Sequence, residues 1–141
     1  MYIYTVIKIT VTKIKFESIA DIQWYAFFGR WSKMQTIVKN DPNSVRIQVN
    51  RLGDTALHVA AGAGQTTFVE ELVKIMRPED MLIPNSNDML PVHLAALSAN
   101  RRIVQHLCFQ QHLLDKMAFK DIKKLFFMTI RNNMFGKCMT N

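Results

Sequence analysis

Cysteine, glycine and proline are all scarce in this chain of 141 residues, at two, five and four. Cys108 and Cys138 lack any Cys-x-x-Cys spacing, which excludes a disulfide framework and a zinc ribbon. With little glycine and proline, 21% charged residues and 49% hydrophobic ones, the chain reads as one modest globular unit and not as a disordered one. No apolar run approaches the ~20 residues that cross a bilayer as a helix, and no Asn-x-Ser/Thr sequon occurs. The opening stretch MYIYTVIKITVTKIKF has neither a continuous apolar core with a small-residue cleavage site nor an arginine-rich amphipathic pattern. No targeting segment is expected there, and the expected location is cytoplasmic.

Acidic residues are also in deficit, 11 against 18 Lys and Arg, for a net charge of +7. That sign raises nucleic acid and anionic membranes as partners. Yet Lys8, Lys13, Arg30, Lys39, Arg46, Arg51, Lys74 and Arg77 are scattered, and the densest clusters are Arg101-Arg102 and Lys120 to Lys124. Nowhere are they interleaved with aromatics as a base-stacking platform needs. No specific nucleic-acid binding is expected; weak contact with an anionic membrane stays open.

What the chain does have is self-similarity. Shifted by 35 positions, TALHVAA (55–61) falls on LPVHLAA (90–96), with His58 on His93, Ala60 on Ala95 and Ala61 on Ala96. Phe68, Val69, Leu72 and Val73 fall on Ile103, Val104, Leu107 and Cys108; shifted back, Gly64 meets Gly29 and Val69 meets Met34. Each unit reads as helix, turn, helix. Leu57, Ala60 and Ala61 share one helical face. Gly62-Ala63-Gly64 breaks the helix. Phe68, Val69, Leu72, Val73 and Met76 resume it with Glu70, Glu71 and Lys74 outward, Thr66 or Thr67 as cap and Pro78 as stop. The turn-rich segments NRLGD and NSND project between units.

Candidate chemistry is thin. GAGQTT (62–67) lacks the lysine and preceding strand of a phosphate-binding loop, and its glycine position recurs at Gly29, so it is an inter-helix turn. His58 and His93 occupy equivalent positions, and packed helices lie about 10 Å apart, too far for one zinc. Their expected role is to tie each loop to its neighbour, while His106 and His112 are expected to be exposed. No nucleophile–base pairing is visible, so no catalytic residue, metal or cofactor is assigned, and the chain is not expected to be an enzyme.

Thr55-Ala56-Leu57-His58-Val59-Ala60-Ala61, and less closely Leu90-Pro91-Val92-His93-Leu94-Ala95-Ala96, resemble the ankyrin repeat signature. Together with FVEELVKIM-RPEDM and KLFFMTIRNNMF, they look most like plant ankyrin proteins of the accelerated-cell-death and PGG-domain type. The resemblance implies an all-α fold: an ankyrin-type α-solenoid of stacked helix-turn-helix repeats with short hairpin loops. It divides the chain into an N-terminal extension (1–20), an atypical capping repeat (21–47), two repeats (48–83 and 84–116) and an incomplete C-terminal repeat (117–141) whose first helix spans Ile122 to Asn132. Leu90 replaces the signature threonine, so a Thr–His side-chain bond is absent in the third unit.

The resemblance further implies non-catalytic recognition of another protein, in plant stress or defence signalling. Its variable positions fall on Arg51, Leu52, Asp54, Ser86, Asn87, Met89, Leu97 and Ser98, with Arg51 foremost because a guanidinium pairs bidentately with a carboxylate. The framework falls on Leu57, His58, Ala60, Ala61, Gly64, Val92, His93 and Ala95. The sub-family's membrane segment has no counterpart here. An alternative is therefore a soluble fragment that stacks end to end on longer relatives at the cytoplasmic face of a membrane, through Leu125, Phe126, Phe127 and Ile130. The aromatics Trp24, Tyr25, Phe27, Phe28 and Trp31 are expected mainly as cap packing, an exposed patch being the alternative. Residues 2–15 alternate like a strand without a sheet to join and are expected to be a loosely ordered extension.

Overall fold

The computed structural model describes residues 19–134. Among them all regular structure is helical, in hairpins laid side by side. Helix α1 runs through residues 19–28, followed by α2 (Trp31–Asn40), α3 (Ala56–Gly62), α4 (Thr66–Val73), α5 (Pro91–Leu97), α6 (Arg101–Gln105) and α7 (Phe119–Arg131). Single 3-10 turns at Pro42–Arg46, Pro78–Leu82 and Leu113–Lys116 follow the second helices, and α6 widens into a π-helical turn at His106–Gln110. Helices α1–α2, α3–α4 and α5–α6 form three hairpins, and α7 packs on α5 in the position of a further first helix. This is the all-α solenoid expected.

Every first helix ends alike. Gly29, Gly64, Ala99 and Asn133 are left-handed, with φ of 68°, 73°, 54° and 54°. The next amide in each case donates back five residues: Arg30 to Tyr25 (2.8 Å), Gln65 to Ala60 (3.0 Å), Asn100 to Ala95 (2.8 Å) and Met134 to Thr129 (2.7 Å). These bonds satisfy carbonyls that a helix end leaves open. At Gly64 a Cβ would also stand 2.9 Å from Asn100 Nδ2 of the following turn, so that side chain would have to shift. The turns are stitched to one another as well. Gln65 Nε2 donates to Phe27 O at 2.8 Å, Ser98 Oγ to Gly62 O at 2.8 Å, and Asn132 Nδ2 to Ala96 O at 2.5 Å.

Burial follows the periodicity. Leu57, Ala60 and Ala61 on α3 and Val92, Ala95 and Ala96 on α5 are all fully buried, so the two helices approach across a seam of small side chains. Behind them Met34 and Val38, then Phe68, Val69, Leu72 and Val73, then Ile103, Val104, Leu107 and Cys108 form one continuous core. Trp31 meets Phe68 edge-on at a centroid distance of 5.7 Å, joining the first hairpin to the second. On the outer side Arg46 Nε reaches Asp80 Oδ1 of the next unit at 2.5 Å, and Asp80 Oδ2 accepts the Arg77 amide at 3.0 Å.

Several boundaries differ from expectation. Residues 19 and 20 already belong to α1, and the rest of the supposed extension, with Cys138, lies outside the described residues. Helix α4 ends at Val73, leaving Met76 buried in the turn beyond it; Pro78 opens a 3-10 turn instead of stopping the helix. Neither Thr66 nor Thr67 caps α4, whose N-cap is Gln65 and whose first turn receives no side-chain capping bond. Helix α7 starts at Phe119, ahead of the expected Ile122, so helix replaces the hairpin loop of the other units. His106 is half-buried, with an unpartnered buried Nε2.

The alanine seam yields a test. Ala60→Leu inserts three carbons where no space exists and lowers unfolding free energy by about 1–3 kcal/mol or more, read from urea melts. Thr67→Ala on the exposed side of α4 shifts it by no more than about 0.5 kcal/mol. Equal midpoints for the two variants would show that the seam is not tightly packed.

Candidate interaction surface

Two hairpin loops project from the stack, and both are built on an asparagine. Asn50 Oδ1 accepts the amides of Leu52 (3.0 Å) and Asp54 (3.1 Å); Asn85 Oδ1 accepts those of Asn87 (3.0 Å) and Met89 (3.1 Å). Such a side chain mimics a backbone turn. The left-handed residue of each loop is Gly53 (φ 73°) or its equivalent Asp88 (φ 55°). Gly53 also admits its neighbour, since a Cβ there would lie 2.8 Å from Ser86 Oγ. The two tips are held together by Ser86 N donating to Leu52 O at 2.8 Å.

Asp54 therefore has a different role from the one expected. Its carboxylate is buried, accepting Asn85 Nδ2 at 2.8 Å and Asn50 Nδ2 at 3.0 Å. It clamps one loop to the next and presents nothing to a partner. Met89 is half-buried and its carbonyl is already taken by His58. Asp54 and Met89 thus belong to the framework, while Arg51, Leu52, Ser86, Asn87, Leu97 and Ser98 are exposed. Arg51 has no ion-pair partner among the described residues.

Both framework histidines are fully buried. His58 Nδ1 accepts the Thr55 amide at 3.1 Å and lies 2.9 Å from the Thr55 hydroxyl, and His93 Nδ1 accepts the Leu90 amide at 2.9 Å. With Nδ1 accepting, the proton sits on Nε2, which donates into the next unit: His58 to Met89 O and His93 to Asp121 O, each at 2.9 Å. Leu90 supplies no hydroxyl, so the third unit lacks the Thr–His side-chain contact, as the sequence implied. With every ring nitrogen so engaged, neither histidine is open to a metal. Among the described residues no group of three or more His, Cys, Asp and Glu could hold one.

The exposed side of the first helices forms a column. Counting back from the left-handed turn residue, Phe27, Gly62, Leu97 and Arg131 are equivalent, as are Trp24, Val59, Leu94 and Met128. A Cβ on Gly62 would touch Leu94 Cβ at 3.8 Å, so the column is continuous from the second unit to the third. Its first unit carries exposed aromatics: Trp24 is 60% exposed, Phe27 53% and Phe28 46%. The rings contact one another, with Trp24 and Phe28 centroids 4.4 Å apart and Phe27 and Phe28 5.0 Å apart. The cap-packing expectation is overturned for these three, because α1 buries only its Ile22–Ala26 stripe. Tyr25 and Trp31 pack partly against the core.

A stack of repeats of this kind offers an extended surface of exposed helix sides and loop tips. A family model for ankyrin repeats (three copies) matches residues 23–119. The chain belongs to the ankyrin repeat family. Among curated proteins, the ankyrin repeat-containing protein ITN1 of Arabidopsis thaliana is 38% identical over 64 residues, which cover 45% of this chain and 11% of that protein. The chain thus spans about a tenth of the length of that relative. No solved structure gives a significant match. Ankyrin repeats are typically non-catalytic protein-interaction modules, and no described helix is long and apolar enough to cross a membrane.

The buried histidines set a pH dependence. Burial, the largest influence, outweighs the Met89 carbonyl and the Asp54 charge and holds His58 below its ordinary 6.5. Burial likewise lowers His93, against the Asp121 carbonyl. The unfolded chain therefore binds more protons between the folded values and 6.5, so stability is full above pH 6.5 and falls as pH drops below it. Urea midpoints between about pH 5 and 8 should show this slope, and His58→Ala should weaken it. The same variant should lose about 1–3 kcal/mol at neutral pH, since Met89 O and the Thr55 amide lose their partner. An unchanged acid slope in that variant would refute the assignment.

Proposed function

We infer that this ankyrin chain recognises another protein across the column of first helices and the two hairpin tips. The observation that carries this reading is the exposed trio Trp24, Phe27 and Phe28, in register with Leu97 on the same side of the stack. Aromatic anchors of this kind dominate protein interfaces. Beside them the free guanidinium of Arg51, with Leu52, Ser86 and Asn87, supplies the polar rim. The partner accordingly offers apolar side chains to the trio and a carboxylate to Arg51. A role in stress or defence signalling rests on the sequence resemblance alone, and the cytoplasmic location on the composition of the sequence.

Stacking on longer relatives through α7 is disfavoured by two residues. Ile130 stands where Ala26, Ala61 and Ala96 let a neighbour approach, and Phe127 stands where His58 and His93 donate to the next unit. A further hairpin would meet bulk at the seam and find no bridging proton.

Affinity capture with the full chain tests the recognition face. Proteins retained by the wild type should be lost, with affinity at least about 30-fold lower, for Trp24→Ser with Phe27→Ser and for Arg51→Glu. Asn87→Arg should weaken them less. Lys39→Glu, on the outer helix α2, should leave them unchanged. Retention by the first two variants together with loss in Lys39→Glu would place recognition on the opposite side.

A further inference from the structure

Helix α7 presents a second exposed surface that the recognition face does not use. Its inner side is Asp121, Leu125 and Thr129, all buried. At 100° per residue, Phe119, Lys123, Phe127 and Ile130 form one stripe on the far side, flanked by Lys120, Lys124 and Arg131. Phe119 is 80% exposed, Phe127 58% and Ile130 47%; Lys120, Lys123 and Arg131 are exposed and Lys124 is half-buried.

The charge on this face is net positive. Asp121, the only carboxylate on α7, is turned inward. Nearby Asp88 is held by Lys120 at 3.0 Å and Lys124 at 3.5 Å, and Asp115 lies in the preceding 3-10 turn. Lys123 and Arg131 have no ion-pair partner among the described residues. Bulky apolar side chains alternating with cations, on a helix whose seam positions reject another repeat, match the headgroup boundary of an anionic bilayer. There phenylalanine and isoleucine insert shallowly, and lysine and arginine stems lie along the apolar layer with their charges on phosphates. A nucleic acid would leave Ile130 and Phe119 without a use.

We propose that the outer face of α7 docks this protein onto an anionic phospholipid surface, with Phe119, Phe127 and Ile130 entering the boundary and Lys120 and Lys123 binding lipid phosphates.

The test is co-sedimentation of the full chain with vesicles of phosphatidylcholine alone and of phosphatidylcholine with about one third phosphatidylserine, across a sodium chloride series. The wild type should bind only the anionic vesicles and lose binding as salt rises. Lys120→Glu with Lys123→Glu should reduce partitioning by ~10-fold or more. Phe119→Ala with Phe127→Ala should also reduce it several-fold at unchanged charge. Trp24→Ser with Phe27→Ser should leave it intact, which separates this surface from the recognition face. All substituted side chains are exposed, and circular dichroism melts matching the wild type would verify folding. Absence of anionic-vesicle binding at low salt would overturn the proposal. So would binding unaffected by the phenylalanine pair, which would mean general attraction to polyanions, or loss of a captured protein without loss of vesicle binding in the α7 variants.

Discussion

The structure depends on unit-on-unit packing across a seam of alanines. Helices α3 and α5 have seven residues each and α4 has eight, well below the length at which an isolated helix is stable in water. No hairpin here could stand alone. Each persists because Ala60 and Ala61 let the backbone of the next hairpin approach, so that Leu57 and Val92 are removed from water. The polar bridges are secondary but selective. His58 to Met89 and His93 to Asp121 link an element to the one that follows and fix which carbonyl faces which ring. A slipped register would leave those buried groups unmatched, at a cost greater than the bonds themselves contribute.

The outer side of the stack adds a charged tie of a different kind. Burial alone would push the Asp80 carboxyl up, but the Arg46 hydrogen bond, the Arg77 amide and both guanidinium charges outweigh it and hold the group below its ordinary 3.8. Arg46 and Asp80 sit in corresponding 3-10 turns of adjacent units. The same neighbour relation is thus secured by apolar contact in the middle and by ion pairing at the outer edge.

Much of the fold was legible because repeat periodicity is a local signal with a global meaning. The match of His58 to His93 and of Gly29 to Gly64 in the sequence marks the stacking direction and the turns. What stayed hidden lay in contacts between units. Asp54 looks like an exposed tip residue until Asn85, 31 positions later, is seen to donate to it. The aromatics of α1 show helical spacing, yet spacing alone does not say which of two stripes faces the neighbour; the smaller Ile22–Ala26 stripe does. The early start of α7 was equally invisible, since no asparagine–glycine pair marks a hairpin there and nothing nearby signals that the helix replaces one. The candidate surface was accordingly half readable: its tips from alignment with the family, its aromatic anchor only from burial.

The position of that anchor carries a consequence for dynamics. Trp24, Phe27 and Phe28 belong to the first described hairpin, and Leu97 lies two units along the stack. In a linear array each unit is held by its nearest neighbours and can open locally. A ligand that grips both this hairpin and Leu97 would tie the first described unit to the third. By linkage, occupancy would then be felt as slower amide exchange throughout α1 and α2.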